Sequence, residues 1–365
     1  AAAPPTFSSV HTTNLPEILR ELEVSLAIST FQAGHLILAR DDGASVNTHF
    51  VPQRKPMGLA ADRDRLIVGT ETGLREFRNV PAVAARLDPP GRHDAVYVLR
   101  NHHVTAAIDV HDLALGGGEC WYVNTLFSCL CTLDPDLSFV PRWRPRFVTS
   151  LAPEDRCHLN GLAMVEGRPA FLTALGSTDT PEGWRANKKN GGVLLDYASR
   201  ETIAAGLSMP HSPRWYRGRL WLLESGRGSL ATVDLATGTV ETVAQLPGFT
   251  RGLDFAGPLA FVGLSQLRAS NPFTDIPITD DNAERASGVW VVHIETGETV
   301  AFLKFSASVE EIFTVQVLAG VRRPAIVDEE DDAIKATYVL PDDALRDVRF
   351  TTPSADRTAP EHAPG

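Results

Sequence analysis

Four cysteines in 365 residues are too few to staple a fold together. Cys120, Cys129, Cys131 and Cys157 match no zinc-ligand spacing and no small disulfide framework. Cys129 and Cys131 lie two apart in a strand-like run and so share a face. They read as small buried hydrophobes rather than a redox pair. Long apolar runs are also missing: none approaches the roughly 18 residues of a membrane span. A basic surface is absent, since the net charge is −11, which argues against nucleic acid as a partner. Part of that charge sits in the solvated run Asp328-Glu329-Glu330-Asp331-Asp332. The first residues, Ala1-Ala2-Ala3-Pro4-Pro5, lack the basic and apolar parts of a secretion signal, and a cytoplasmic location is expected. No Gly-x-Ser-x-Gly elbow and no phosphate-binding loop occur. Glu224-Ser225-Gly226-Arg227-Gly228 precedes a strand and lacks the glycine register of a dinucleotide site.

What the chain does have is one short phrase in six versions. They are Met57-Gly58-Leu59-Ala60, Val110-His111-Asp112-Leu113-Ala114, Asn160-Gly161-Leu162-Ala163, His211-Ser212-Pro213-Arg214-Trp215, Arg251-Gly252-Leu253-Asp254 and Glu311-Ile312-Phe313-Thr314-Val315. Most lead into a tight turn, such as Gly116-Gly117-Gly118 or Arg217-Gly218-Arg219, and then a second apolar run. Strand-rich repeats of about 40–50 residues indicate a β-propeller. An all-β, six-bladed propeller over residues 25–320 is therefore expected. Residues 1–24 form an arm with a short helix, Asn14 to Leu22, capped by Asn14. Residues 321–365 form an acidic strap or tail. The last repeat is short of strands, and Ser25–Thr30, His35–Arg40 and Ser45–Val51 can supply them. Pairing of the first with Glu311–Leu318 would close the ring and remove exposed edges.

Blade-entrance loops and the loops between second and third strands share one face. The entrances hold Arg54-Lys55-Pro56, Asn101-His102-His103, Arg156-Cys157-His158, Met209-Pro210-His211, Gly248-Phe249-Thr250 and Val309-Glu310-Glu311. The two longest insertions, Leu175–Asn190 with Trp184 and Ser265–Ala286 with Phe273, Asp275, Asp280 and Asp281, project on that face as lids or binding loops. Imidazole is the commonest transition-metal ligand. His103, His111, His158 and His211 are the candidate metal set, although a histidine at a strand start can simply bond a neighbouring blade. Glu310 and Glu311 are candidate bases, with Asp109, Asp112 and Glu224 available as partners of the ring nitrogens. Arg214 and Arg251 are candidates to meet a substrate carboxylate or phosphate, or else tie blades together.

Several phrases carry a resemblance. Among them are Ser29-Thr30-Phe31-Gln32-Ala33-Gly34, Pro56-Met57-Gly58-Leu59-Ala60, Phe127-Ser128-Cys129-Leu130-Cys131-Thr132-Leu133, Ala152-Pro153-Glu154-Asp155-Arg156-Cys157-His158-Leu159-Asn160-Gly161 and Met209-Pro210-His211-Ser212-Pro213-Arg214. In them the chain resembles a bacterial family of six-bladed propellers of unknown function, which implies a fold but no reaction. It is more distantly similar to the gluconolactonase and strictosidine-synthase propellers, which hold a divalent ion, often calcium, on the axis. Asn160 can match an asparagine ligand there, but a histidine-rich mouth suits iron, copper or zinc better than calcium. The four axial histidines of the carotenoid oxygenases offer the same ligand logic on seven blades. The expectation is a metal-dependent enzyme acting on a small organic molecule, with the ion activating dioxygen or polarising a substrate oxygen. A lactonase-like hydrolase and a non-catalytic ligand- or peptide-binding propeller are the alternatives.

Overall fold

A computed structural model describes residues 7–267, 275–280 and 283–348. Six antiparallel sheets surround one axis, and their inner strands start the blades in chain order. The inner strands are Leu59–Ala61, Val110–Gly116, Leu159–Val165, Pro210–Tyr216, Phe249–Ala256 and Thr314–Ala319, in blades 1 to 6. Blade 3 continues through Arg168–Ala174, Gly192–Asp196 and Thr202–Leu207. Blade 4 continues through Arg219–Glu224, Ser229–Val233 and Val240–Gln245. Each blade buries both faces against its neighbours, so central strands are buried throughout, as in Leu259–Ser265 and Val24–Thr30.

The ring closes as the strand count demanded. Val24–Thr30 pairs antiparallel with Thr314–Ala319, in a register that sets Ser25 opposite Leu318 and Ser29 opposite Thr314. His35–Asp41 and Val46–Pro52 complete blade 6. The helix forms over Leu15–Glu21, and its buried Leu15 and Leu19 join Leu26, Ile28, Phe261 and Phe305 in one core cluster. Asn14 does not cap it. Its side-chain amide instead donates to the Val300 carbonyl (2.9 Å), tying the helix start to blade 5.

Two blades gain a fifth, outermost strand. Ser8–His11 pairs with Thr299–Ala307 in blade 5, and Pro324–Val327 runs parallel to Ala95–Val98 in blade 1. Asp328, just beyond, accepts from Arg75 and from the Gln53 amide (2.6 Å). The strap is thus a strand held at its end by ion pairs.

Close approach of inner strands leaves no room for side chains at one repeat position. A Cβ on Gly161 would lie 2.3 Å from Pro213 Cδ and 2.3 Å from Thr173 Oγ1. Gly161→Ala should therefore force blades 3 and 4 apart and cost about 1–3 kcal/mol. Thermal melting checks this, and an unchanged Tm would show that the blades slide freely.

Candidate active site

The repeat register decides which side chains meet on the axis. Aligning the six phrases places Met57, His111, Asn160, His211, Arg251 and Phe313 at one position, at the start of their inner strands. His158 precedes the strand of blade 3 in a left-handed turn (φ 51°). Asp109 (φ 53°) and Met209 (φ 49°) adopt the same turn just before blades 2 and 4. These turns swing the entrance loops over the mouth.

Three of the four candidate histidines come together there. The His111 and His158 rings meet edge-on with centroids 4.7 Å apart, and His111 packs against Phe313 at 5.1 Å. His211, buried, lies 5.9 Å from the Phe249 ring. Each donates its Nδ1 hydrogen to a nearby acceptor. His111 bonds the Asp109 carbonyl (3.2 Å), and His211 bonds the Met209 carbonyl (2.9 Å) and Ser225 Oγ (2.8 Å). His158 Nδ1 lies 3.0 and 2.9 Å from the two Asp155 carboxylate oxygens. Carboxylate and carbonyl oxygens only accept, so Nδ1 carries a hydrogen in each ring, and a neutral ring keeps its lone pair on Nε2. Burial pushes His111 and His211 well below the ordinary imidazole pKa, helped by the positive fields of His158 and Arg251. Both are neutral at pH 7.

His103 does not join them. Asn101 to His103 form the end of the long outer strand Ala95–Val104, where His103 pairs with Leu74 and its Nε2 meets the Ser138 carbonyl (3.2 Å). The entrance to blade 2 begins only after Val104, and the expected four-histidine cluster is reduced to three. Among the described residues, no group of three or more His, Cys, Asp or Glu side chains is arranged to hold a metal ion. Asn160 is also spent. Its amide donates to the Pro210 carbonyl (3.0 Å) and its oxygen accepts from Thr173 (2.7 Å).

The long loops lie over this mouth. Trp184, buried, sits 4.5 Å from the His158 ring, and its Nε1 donates to Asp155 Oδ2 (2.9 Å). Trp184 clusters with Met209 and Phe249 and with Ile276 and Ile278 of the second loop. Phe273 and Asp281 lie outside the described residues. Asp155 and Phe313 had no role in the sequence reading. The Asp155-Arg156-Cys157-His158 spacing, across a turn with both ends at positive φ, was the available signal.

The two arginines occupy opposite ends of the axis. Arg251 is at the mouth, buried, with its guanidinium 3.4 Å from the Phe313 ring centroid. Its Nη1 lies 3.6 Å from Glu311 Oε1, and its buried Nη2 has no hydrogen-bond partner among the described residues. Burial lowers its pKa to about 10, which leaves it protonated at neutral pH. Glu310 anchors the last entrance through its backbone, to Gln266 N–H (2.8 Å) and Gln32 Oε1 (3.1 Å). Arg214 points to the far end, contrary to its expected place beside the histidines. It donates to Asp112 (2.8 and 3.1 Å) and to the carbonyls of Leu253 (3.1 Å), Leu162 (3.0 Å) and Pro213 (2.9 Å). Asp112 also accepts from Leu162 N–H (3.0 Å), so this pair bolts blades 2 to 5 together. A cavity of about 300 Å³ opens beyond it, lined by Leu115, Met164, Trp215, Asp254 and Gln316. Asp112→Ala should leave a buried guanidinium unpaired and cost about 3–5 kcal/mol, read by urea unfolding. A loss below about 1 kcal/mol would show the pair to be solvated.

All four cysteines are buried and none forms a disulfide, while the Cys129 and Cys131 thiols hydrogen-bond to each other at 3.4 Å. Burial raises the Cys157 thiol to about 12, so it holds its proton at neutral pH.

Residues 13–327 match the pattern of a domain of unknown function, DUF4915. The chain belongs to that family. No curated protein matches this DUF4915 member. It is similar to a chain in the crystal structure of a nidogen/laminin complex, with TM-score 0.52 and 9% identity over 81% of this chain and 99% of that one. It is also similar to a protein of unknown function from Bacteroides caccae, with TM-score 0.49 and 10% identity over 81% and 98% of the two chains. At these identities the first likeness shows the propeller fold alone.

Proposed function

We propose that this DUF4915 protein is an enzyme acting on a small organic molecule at the axial mouth, with His158 as general base. The observation that carries the reading is the Asp155–His158 pair, clamped by Trp184 and facing His111. Asp155 accepts the Nδ1 hydrogen, orients the ring and stabilises the imidazolium that forms when Nε2 takes a proton. That proton comes from a bound water or from an acidic position on the substrate, which makes hydrolysis and proton abstraction the two reaction classes in reach. Arg251, cationic and desolvated, is placed to stabilise negative charge as it develops.

The tautomers favour a second reading. With each Nδ1 bonded, the Nε2 atoms of His111, His158 and His211 offer lone pairs in the form that iron, copper or zinc requires. The rings as they stand do not form such a site, so this reading requires them to draw together.

The test is a screen of purified protein against esters, lactones, amides and carbon acids, before and after exhaustive chelation. On the general-base reading, a turnover is found that chelation leaves unchanged and His158→Gln abolishes. Turnover lost on chelation and restored by one metal supports the second reading. A turnover indifferent to both His158→Gln and chelation rejects both.

A further inference from the structure

The axis carries two arginines in opposite states. Arg214 has its donors committed to Asp112 and to three carbonyls. Arg251, only 8% exposed, has a buried Nη2 with no hydrogen-bond partner among the described residues. Its closest acid, Glu311, stands at 3.6 Å, too far for a good charge-assisted hydrogen bond. A guanidinium out of water without acceptors is costly, and the half-buried Arg214 on the same axis shows how the fold satisfies one. The Phe313 ring covers one flat face of Arg251. The in-plane edge, where the N–H bonds point, is what a ligand can use, and a planar carboxylate matches it with two parallel bonds. Phe313 also touches His111, so that edge belongs to the histidine mouth.

A second group at the mouth is unpaired. The Asp109 side chain is exposed and has no hydrogen bond or ion pair among the described residues. It lies within electrostatic reach of Arg251, His158, Asp155 and Lys55. A carboxylate and a guanidinium share this mouth without pairing with each other. Their ideal guest has the complementary arrangement, with its own carboxylate toward Arg251 and its own cation toward Asp109.

Resting on the proposed active site, we infer that the mouth binds a zwitterionic amino acid, or a dipeptide that presents both of its charged termini. The carboxylate is held by Arg251 and the ammonium by Asp109. A dicarboxylate would bring its second charge against Asp109 and Asp155, and a simple amine would leave Arg251 unpaired.

The experiment is binding, read by calorimetry or ligand-observed NMR and independent of turnover. The probes are the common amino acids and a set of dipeptides, each compared with its deaminated acid and its decarboxylated amine. At least one zwitterion should bind tenfold or more tighter than both of its truncated analogues. Arg251→Gln should remove at least tenfold from its affinity and leave the amine unaffected. Asp109→Asn should do the same and leave the acid unaffected. If Arg251→Gln fails to fold, the analogue series on the unaltered protein still decides. The inference falls if no zwitterion binds at millimolar concentration, or if the deaminated acid binds as tightly as its parent. His158→Gln separates the two proposals. Zwitterion binding kept with turnover unaffected would remove the general base and leave this inference standing. Turnover lost with no zwitterion preference would do the reverse.

Discussion

A chain lacking residues 7–52 is expected to emerge as aggregate, with no cooperative melting transition. Those residues hold the helix and three of the four strands of blade 6. Without them Thr314–Ala319 loses every hydrogen bond to Val24–Thr30, and blades 1 and 5 face an open gap. Leu15, Leu19, Leu26, Ile28, Ile37 and Leu38 are each fully buried, and their partners Phe261, Phe305 and Leu66 would be laid bare. Burial of one such side chain contributes about 1.5–3 kcal/mol, so losing six is comparable to the whole 5–15 kcal/mol stability typical of a domain. An internal control sharpens the test. Removing only residues 7–11 deletes the outer strand Ser8–His11, whose residues are half-buried or exposed, and should lower Tm by a few degrees at most. Gel filtration and calorimetry compare the two. A soluble, cooperatively melting 7–52 deletion would sink the closure argument.

The ring was legible because six inner strands repeat a phrase whose apolar positions and glycines are dictated by packing around an axis. Closure followed from counting strands. Both fifth strands were harder to see. Pro324–Val327 is four residues long and owes its place to Ala95–Val98 and to the Arg75–Asp328 ion pair, far away in sequence. His103 was misplaced for a related reason. At the solvent-facing outer edge, apolar alternation fades, and Asn101-His102-His103 looks like a loop although it still pairs with Leu74 to Glu76.

The candidate site was legible in part. His111, His158, His211, Arg251 and Glu311 reach the mouth because they sit at or before the first position of the repeat. Arg214 occupies the fourth, one strand-length lower, where it meets Asp112 instead. A uniform reading of the six phrases by position, rather than by residue type, separates the two arginines. The tautomers were not legible at all. They depend on acceptors such as Ser225, fourteen residues from His211, and on turns of positive φ that place Asp155 behind His158.

His158→Gln is expected to lower turnover by about 10²–10⁴-fold with binding and folding intact. Glutamine retains a donor that can reach Asp155, so the loop carrying Trp184 keeps its anchor, but it offers no lone pair able to take a proton at neutral pH. Asp155→Asn should be nearly as severe, for a different reason. Its amide can donate to Nδ1, which favours the tautomer with hydrogen on Nε2 and turns the base away from its work. It also takes away the carboxylate that stabilises the imidazolium, and it weakens the bond from Trp184 Nε1. Trp184→Phe isolates that last contribution. It keeps the aromatic wall beside His158 and removes only the indole donor, so a loss of roughly tenfold is expected, the low end for one hydrogen bond to a charged group. The order His158→Gln, Asp155→Asn, Trp184→Phe, from most to least damaging in kcat at unchanged Tm, is the signature of a base oriented by a carboxylate that is itself held in place. If Trp184→Phe were as damaging as His158→Gln, the ring would be acting as part of the binding surface, and the pair would be a structural clamp on the long loop rather than a catalytic one.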